Sequence, residues 1–374
     1  MSGSDRQEAT GAPAEVERAD RSLLEEVVPR HTGRSILSIE RMPAGLGTRR
    51  FHRIRLAGGE PAVLVARFES DEPPAPPGPD TWLPEPPLEP LRGFLERAGL
   101  PVPRSVAHLP DLGLDLLEDV GDRTLADARG ARREALYAEA CGWLPRLQTL
   151  EAAADEIPAF GRVYDRALLA TKAWKWQHWA IPGLLGRAVD AGEADAIATA
   201  FACIGGLIDA APRRLAHRDF KAENLHWPTR PPAPGGALVM IDVQGAFMAP
   251  PEYDLACLLY DLQVDLDEEL VERLQDATLA RLPDRSPRDL ARLRLDALAA
   301  ARLCKDVAHV VHAARTRGDL RRWHELPRGL ILLERVTGRL THTFPEFRAL
   351  RSVIPALTGA LGSADSRRGR RGQA

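Results

Sequence analysis

Residues 215–227, LAHRDFKAENLHW, carry polar side chains at a spacing that suits phosphoryl transfer. His217, Asp219 and Asn224 form the pattern H-x-D-x-x-x-x-N between an apolar lead-in and an apolar exit. An aspartate in such a loop can accept or orient the proton of a substrate hydroxyl, and an asparagine oxygen can bind Mg²⁺. Because three fixed positions also arise by chance, the alternative is a polar surface loop followed by an ordinary buried strand.

The residues that follow strengthen the catalytic interpretation. The apolar run ALVMI delivers Asp242 to the start of a loop that contains Gly245. The segment PTRPPAPGG between LHW and ALVMID is turn material, so the two short runs can pair as a hairpin. A hairpin brings Asn224 and Asp242 to the same end of its strands, with Asp219 just before it. The sequence therefore predicts a base at Asp219 and Mg²⁺ ligands at Asn224 and Asp242, with His217 and Arg218 holding the loop.

The elements around these residues predict an α+β protein with two lobes. Strand patterns with short turns dominate residues 34–69 and 105–120, and helical patterns dominate from residue 131 onward. Segregation of this kind favours a small antiparallel β lobe followed by a larger, mainly helical lobe.

We place the boundaries as follows. Residues 1–18 are expected to be disordered, 19–119 to form an N-terminal nucleotide-binding lobe with a proline-rich loop at 71–90, 120–360 to form the helical catalytic and acceptor lobe, and 361–374 to be a basic disordered tail.

The net charge of −3 gives no reason to expect a nucleic-acid partner. No N-terminal apolar region or run of about 18 apolar residues suggests secretion or a membrane span, so we expect a cytoplasmic protein; its oligomeric state stays open.

At these residues the chain resembles the aminoglycoside-phosphotransferase/choline-kinase superfamily. HRDFKAENL followed by IDVQGAFMAPPEYDLACLLYD carries the resemblance, and LEDVGDRTL, YDRALL and RLCKDVAHVVHAARTRGDLRRWHELPR extend it over most of residues 20–350. The chain is also similar to the bacterial anomeric sugar kinases, which phosphorylate N-acetylmuramate and N-acetylglucosamine. The resemblance implies a protein-kinase-like fold, ATP and Mg²⁺ as cofactors, and the roles given above for Asp219, Asn224 and Asp242. It also implies that Gln244 follows the metal aspartate and that Asp254 stabilises the catalytic loop.

The nucleotide side of the site is less regular. Gly45 and Gly47 let a hairpin backbone approach phosphates, Thr48 can donate to them, and the LLEDV segment, with Glu118 and Val120, could present backbone groups to adenine. Residues 1–171 contain no lysine, so the usual phosphate-binding lysine of the third strand is missing. Arg67 replaces it, another arginine does, or the site is impaired; a helix partner could be Glu89 or Glu96.

The acceptor side is defined by aromatic residues and by two departures from the sugar kinases. Trp174 and Trp176 cannot share a helix face, so one should be exposed, and Trp179 follows. Lys172 stands where the resemblance predicts an acid and Glu223 where it predicts a base, which suggests either a swapped ion pair or a changed pocket. His309 and His312 share a helix face, but core or surface positions are favoured over a metal site because no third ligand is evident.

The sequence therefore predicts an ATP- and Mg²⁺-dependent kinase acting on a hydroxyl of a sugar or amino sugar. Two alternatives stay open. One is a kinase of the same fold for an aminoglycoside or another alcohol. The other is a nucleotide-binding pseudokinase with a regulatory role, which the missing lysine favours and the Asp–Asn–Asp set opposes.

Overall fold

The structure is a computed structural model that describes residues 11–43, 49–69, 85–228, 236–284 and 286–371, with side chains from residue 15 to residue 362 of these ranges. Its contacts divide the chain into two compact units. The first contains the described residues up to 69 together with Val102–Gly121, and the second contains residues 85 to Pro101 and those from Asp122 onward. Residues 85–101, expected in the N-terminal lobe, belong instead to the helical unit, where Met240 N–H donates to Pro101 O at 2.8 Å.

The first unit is built on a five-stranded antiparallel sheet with the strand order β1-β2-β3-β5-β4. Short connections join β2 to β3 and β4 to β5, as the sequence predicts. The strands are β1 (Ile36–Arg41), β2 (Arg50–Leu56), β3 (Val63–Phe68), β4 (Ser105–Leu109) and β5 (Leu114–Glu118).

Alternation along the strands gives this sheet one apolar face, which packs against helix α1 (Gly11–Thr32). Leu64 and Ala66 of β3 and Leu24 and Val28 of α1 are fully or almost fully buried in this core. The helix begins at Gly11, so residues 11–18 are not the disordered segment that the sequence predicts. Alanine, glutamate and arginine favour a helix there, and Glu17 pairs with Arg41.

The second unit is mainly helical. Its helices are α2 (Leu91–Arg97), α3 (Gly130–Gln148), α4 (Arg166–Lys175), α5 (Ile181–Leu185), α6 (Ala191–Asp209), α7 (Tyr253–Leu259), α8 (Glu268–Leu279), α9 (Arg288–Arg317), α10 (Leu326–Leu340), α11 (Phe347–Ser352) and α12 (Ile354–Arg371). A π-helical segment, Trp176–Ala180, connects α4 to α5. Helix α12 extends through most of residues 361–374, which the sequence predicts to be a disordered tail.

Helix α9 organises this unit, since α4, α6, α7 and α10 all pack against it. Its ends are set locally: it begins after Pro287 and stops at Gly318, which adopts a left-handed conformation with φ 67°. Close packing needs small residues, and a Cβ on Gly183 of α5 would lie 2.3 Å from Val311 Cγ1 of α9. The long α9 thus holds several helices in fixed register behind the site.

Helix α6 is long and apolar enough to cross a membrane by length and composition alone, with a mean hydropathy of 1.4 over its best window. The sequence predicts no membrane span. One face of α6, including Ile197, Phe201 and Ile204, is buried against the rest of the unit. A capping box of Asp190 and Glu193 places polar groups at the N-terminus of this helix.

Candidate active site

Two small antiparallel ribbons in the second unit carry the predicted catalytic residues. Strand β6 (Arg214–Ala216) pairs with β9 (Phe247–Ala249), and β7 (Leu225–His226) pairs with β8 (Val239–Met240). The segment 217–224 connects β6 to β7, and the segment 241–246 connects β8 to β9. The hairpin predicted between LHW and ALVMID is therefore confirmed, and it sets the two connecting loops side by side.

Hydrogen bonds join the two loops at Asn224. Ile241 N–H donates to Asn224 O at 2.9 Å, and Asn224 Nδ2 donates to Asp219 O at 2.9 Å. Asp242 follows Ile241 directly and lies close enough to Asp219 for their charges to interact. The structure thus brings Asp219, Asn224 and Asp242 together, as the sequence predicts.

His217 anchors the loop. Its Nε2 lies 2.9 Å from Ile241 O, which fits a ring N–H donating to that carbonyl, and the residue is 3% exposed. The ring therefore ties the start of the loop to the end of β8, in keeping with the holding role expected for it.

Asp254, in the first turn of α7, binds the backbone of the same loop through its carboxylate. Its carboxylate accepts from the backbone N–H of His217 at 2.7 Å and of Arg218 at 3.1 Å. Burial raises the pKa of Asp254 to about 6, against the lowering effect of His217 and these hydrogen bonds. The contact that the resemblance implies for Asp254 is present.

Backbone strain is concentrated in this region. Arg218, with φ 82°, and Asp242, with φ 63°, are the two non-glycine residues with positive φ in the part of the chain that the structure describes. Such conformations cost about 1–3 kcal/mol each and persist where the surroundings enforce them. Both lie in the two loops that carry the predicted chemistry.

The side chain of Arg218 is fixed by Glu85, a residue that the sequence analysis did not single out. Arg218 Nη1 bonds to Glu85 Oε1, and Gln244 Nε2 donates to Glu85 Oε2 at 3.3 Å and to Asp242 Oδ1 at 2.6 Å. A Cβ on Gly245 would lie 2.8 Å from Arg218 Nη1. Glycine at 245 therefore leaves the room that the Arg218–Glu85 pair occupies.

Cations from α9 surround Asp219. Arg302 Nη1 lies 3.4 Å and Lys305 Nζ 3.9 Å from Asp219 Oδ1, and the Asp219 side chain is 29% exposed. Burial by itself would raise the pKa of Asp219, but the positive charges of Lys305, Arg218 and Arg302 outweigh it and hold that pKa well below its usual range. Asp219 is therefore an ionised hydrogen-bond acceptor at neutral pH.

The donor atoms around Asp242 fit Mg²⁺. Burial, and next the charge of Asp219, raise the pKa of Asp242, against the lowering effect of Gln244 and His217. Since Asn224 Nδ2 is engaged by Asp219 O, the amide oxygen is its remaining polar atom. Mg²⁺ takes one or two protein oxygen ligands together with phosphates and water. The described residues contain no group of three or more His, Cys, Asp or Glu side chains placed to bind a metal, but this set does not require one.

The residues predicted to bind nucleotide are only partly described. Gly45, Gly47 and Thr48 lie outside the described residues. Arg67 Nη1 pairs with Glu69 Oε1 at 2.6 Å and Asp115 Oδ2 at 2.9 Å, and its side chain is 4% exposed.

Other residues expected near the nucleotide have partners of their own. Glu118 Oε1 accepts from Arg104 N–H at 3.1 Å, and Val120 is half-buried in the segment after β5. Both candidate helix partners, Glu89 and Glu96, pair with Arg92.

The aromatic residues of the acceptor side point in different directions. Trp176 is fully buried, whereas Trp174 and Trp179 are half-buried, as their spacing requires. Trp179 stacks on His312 with ring centroids 4.0 Å apart, and Trp174 stacks on His178 at 4.4 Å. Trp179 lies in the π-helical segment and contacts His309 and His312 of α9.

The two departures from the sugar kinases are not a swapped ion pair. Lys172 Nζ lies 3.2 Å from Tyr253 Oη and 4.3 Å from the centre of the Tyr164 ring, and burial holds its pKa well below the usual range. Glu223 pairs instead with Lys221 at 2.9 Å. The other alternative, a changed acceptor pocket, stays a prediction.

Sequence reasoning missed the contribution of α9. Arg302, Lys305, Asp306 and His309 follow one another at helical spacing along one face, and Asp306 bonds to Lys305 at 3.0 Å and to Arg302 at 3.2 Å. The signal available in the sequence was the rarity of lysine, because Lys305 is one of only four.

Together, the two-unit α+β fold and the Asp219–Asn224–Asp242 set define a protein of the phosphotransferase class. The sequence model described as "Phosphotransferase enzyme family" matches residues 89–295, more than half of the chain. The chain belongs to this family.

Curated relatives share part of the sequence. The N-acetylmuramate/N-acetylglucosamine kinase of Caulobacter vibrioides is 31% identical over 201 residues, covering 51% of this chain and 54% of the relative. The protein of the same name from Pseudomonas aeruginosa is 30% identical over 189 residues, covering 50% and 52%. The chain thus spans about half the length of the curated relatives it matches.

Solved structures are similar in fold. The choline kinase LicA from Streptococcus pneumoniae superposes with a TM-score of 0.54 at 14% identity, covering 87% of this chain and 99% of that one. A choline/ethanolamine kinase family protein from Mesorhizobium loti gives 0.55 at 16%, covering 90% and 99%. The aminoglycoside phosphotransferase APH(2'')-Ib gives 0.51 at 14%, covering 82% and 95%. At these identities the likeness concerns the fold alone.

Proposed function

We propose that this chain is an ATP- and Mg²⁺-dependent kinase that phosphorylates a hydroxyl of a sugar or amino sugar. The observation that carries the proposal is the assembly of Asp219, Asn224 and Asp242 by two adjacent loops, each with a strained residue held in place. The curated relatives, which are named N-acetylmuramate/N-acetylglucosamine kinases, support an amino sugar as the acceptor. The resemblance to the anomeric sugar kinases adds the anomeric hydroxyl to this proposal.

In the proposed reaction, the acceptor oxygen forms a bond to the γ-phosphorus of ATP while the bond from that phosphorus to the β,γ-bridging oxygen breaks. The acceptor proton passes to the Asp219 carboxylate. Because nearby cations keep Asp219 ionised, its main contribution is to orient the hydroxyl before transfer. Asn224 and Asp242 would hold Mg²⁺, which neutralises charge on the phosphates when bound.

The charge around Asp219 argues against a polycationic acceptor. Arg302 and Lys305 lie within 4 Å of its carboxylate, and Lys175 and Lys172 are close to Lys305. An aminoglycoside would bring further positive charge into this cluster. A sugar or amino sugar without that charge suits the site better.

The test is ADP release from Mg-ATP with N-acetylmuramate, N-acetylglucosamine, simple hexoses and an aminoglycoside as acceptors. Asp219→Asn serves as the chemical control, and Mg-ATP binding is measured alongside. We expect turnover of an amino sugar that falls at least about 100-fold in Asp219→Asn.

Other outcomes would contradict the proposal in different ways. Mg-ATP binding without turnover of any acceptor would favour a nucleotide-binding pseudokinase. Turnover restricted to the aminoglycoside would overturn the acceptor assignment, and turnover unaffected in Asp219→Asn would overturn the assigned role of that residue.

A further inference from the structure

The backbone carbonyl of Arg218, the strained residue before Asp219, has partners on two helices. Arg302 Nη1 of α9 donates to this oxygen at 3.3 Å, and the Cys257 thiol of α7 donates to it at 3.4 Å. The same Arg302 Nη1 lies 3.4 Å from Asp219 Oδ1. One guanidinium nitrogen therefore contacts both the main chain of the strained turn and the carboxylate that follows it.

A second carboxylate, that of Asp306, holds Arg302 from the next turn of α9. Asp306 Oδ2 lies 3.2 Å from Arg302 Nε, and Asp306 Oδ1 lies 3.0 Å from Lys305 Nζ. Lys305 Nζ in turn lies 3.9 Å from Asp219 Oδ1. These four side chains form an ion-pair ring in which each carboxylate contacts both cations, so the charges of the ring balance.

Exposure differs strongly between the members of the ion-pair ring. The side chain of Arg302 is 4% exposed, whereas that of Asp219 is 29% exposed. A charge buried to this extent depends on its partners, because water cannot replace them. Arg302 is therefore the buried anchor of the ring, and Asp219 is its accessible member.

The contacts of Asp219 are made through one of its two carboxylate oxygens. Arg302 Nη1 and Lys305 Nζ both approach Oδ1. Oδ2 accepts no hydrogen bond from the part of the chain that the structure describes, which leaves it for the acceptor hydroxyl in the proposed reaction. A displacement of about 1 Å in a group that orients a substrate can lower the rate about 100-fold. Contacts that fix Oδ1 thus bear directly on catalysis.

We infer that Arg302 is a positioning residue for phosphoryl transfer, which fixes the Arg218 carbonyl and Asp219 Oδ1 together so that Asp219 Oδ2 is presented to the acceptor hydroxyl. Asp306 supports Arg302 in this role. The inference rests on the proposed function and adds a buried arginine of α9 to the residues on which it depends. Arg302 acts through Asp219 and needs no contact with either substrate.

A double-mutant cycle tests whether Arg302 acts through Asp219. Arg302→Met should lower kcat for an amino sugar about 10–100-fold, while the Kd for Mg-ATP changes by less than about threefold. Calorimetry gives that Kd and also counts the folded sites. In the Asp219→Asn background the same substitution should lower the residual kcat by less than about threefold, because the carboxylate that Arg302 positions is gone. Equal losses in both backgrounds would show a merely structural role and overturn the inference.

Asp306→Asn is a milder variant of nearly the same shape. An asparagine side chain accepts through one oxygen only, so it cannot hold both Arg302 and Lys305. We expect kcat to fall about 3–10-fold, and this loss should also disappear in the Asp219→Asn background. The variant keeps the inference testable if Arg302→Met does not fold.

Arg294→Met is the matched control, because Arg294 is an equally buried arginine of α9 that pairs with Glu252. It should reduce stability but leave kcat per Mg-ATP-binding site unchanged. If Arg294→Met lowered that kcat as much as Arg302→Met, the loss would reflect disruption of α9, and the inference would fail.

Crystal structures of the wild type and of Arg302→Met, or of Asp306→Asn if the first does not fold, separate this inference from the proposed function. We expect the Asp219 carboxylate to move by about 1 Å or more in the variant. Such a movement in a chain that turns over no acceptor would support the positioning and contradict the proposed kinase activity. An Asp219 carboxylate that stays in place would overturn the inference whatever the activity.

Discussion

The backbone N–H of Arg218 donates a hydrogen bond to Asp254 Oδ1, 3.1 Å away, and so holds a non-glycine residue at φ 82°. The second carboxylate oxygen accepts from His217 N–H at 2.7 Å. One buried carboxylate therefore satisfies two consecutive backbone donors and enforces the strained turn that presents Asp219.

Asp254→Asn should damage catalysis more than folding. An asparagine side chain accepts through one oxygen only, so one of the two N–H groups would face an NH₂ group and the turn at Arg218 would relax. We expect kcat to fall about 10–100-fold with little change in secondary structure by circular dichroism. Asp209→Asn, which removes an exposed carboxylate, is the control. An unchanged kcat in Asp254→Asn would show that the strained turn does not matter for activity.

Gly245→Ala should disturb the pairing of Arg218 with Glu85. The added Cβ would lie 2.8 Å from Arg218 Nη1 and 3.4 Å from Glu85 Oε1, so one partner must move. We expect a loss of about 1–3 kcal/mol in the free energy of unfolding, measured by denaturant titration, together with a lower kcat. Gly206→Ala is a matched control, because a Cβ there meets nothing within 4 Å on the exposed side of α6. It should be neutral or stabilise by up to about 1 kcal/mol.

The local parts of the fold follow from the sequence. The strands of the first unit and the hairpin of β7 with β8 are predictable because alternation and turn residues act over short distances. The positions of Asp219, Asn224 and Asp242 follow from that hairpin. The extent of α1 was not predictable, because its first turns have no clear apolar periodicity, although they carry good helix formers.

The surroundings of Asp219 depend on contacts far apart in sequence. Arg302 and Lys305, which contact Asp219, lie on a helix more than 80 residues later in the sequence. Glu85, which pairs with Arg218, lies more than 130 residues earlier. No periodicity encodes such pairings, and helix spacing alone shows only that Arg302, Lys305 and His309 share a face. The lysine-poor composition was a usable signal, but its meaning required the packing of α4 on α9.

The ion pair between Arg294 and Glu252 offers a stability test away from the catalytic loop. Arg294 binds both carboxylate oxygens, at 3.1 and 2.6 Å, and both side chains are at most 3% exposed. Arg294→Met would leave Glu252 buried and unpaired, and should cost about 3–5 kcal/mol of unfolding free energy. The double variant Arg294→Met/Glu252→Gln should recover part of that loss.

An exposed ion pair provides the comparison for Arg294. Arg187→Met removes the partner of Glu193 at the surface and should leave the midpoint of chemical denaturation almost unchanged. If Arg294→Met were as mild as Arg187→Met, the buried pair would contribute far less than its geometry implies.

Lys175 should lower the stability of the protein at neutral pH. Burial, followed by the charges of Lys305 and Arg218, lowers the pKa of Lys175 to about 8, while Asp306 acts in the opposite direction; His309 contacts it as a neutral acceptor. Because the folded state binds the proton more weakly than the unfolded state, the cost is fully present below pH 8 and fades as the pH rises toward the unfolded pKa of about 10.4.

Lys175→Met removes this cost, so it should stabilise the ligand-free protein by the order of 1–3 kcal/mol at pH 7. The difference between the variant and the wild type should shrink between pH 8 and about pH 10, because the wild-type lysine then loses its proton in the folded state. Chemical denaturation of both proteins across this range measures the difference, and titration of other groups cancels in it. The idea fails if Lys175→Met is less stable than the wild type at pH 7, or if the difference in unfolding free energy does not depend on pH. Either result would show that Lys175 has an anionic partner in the free protein.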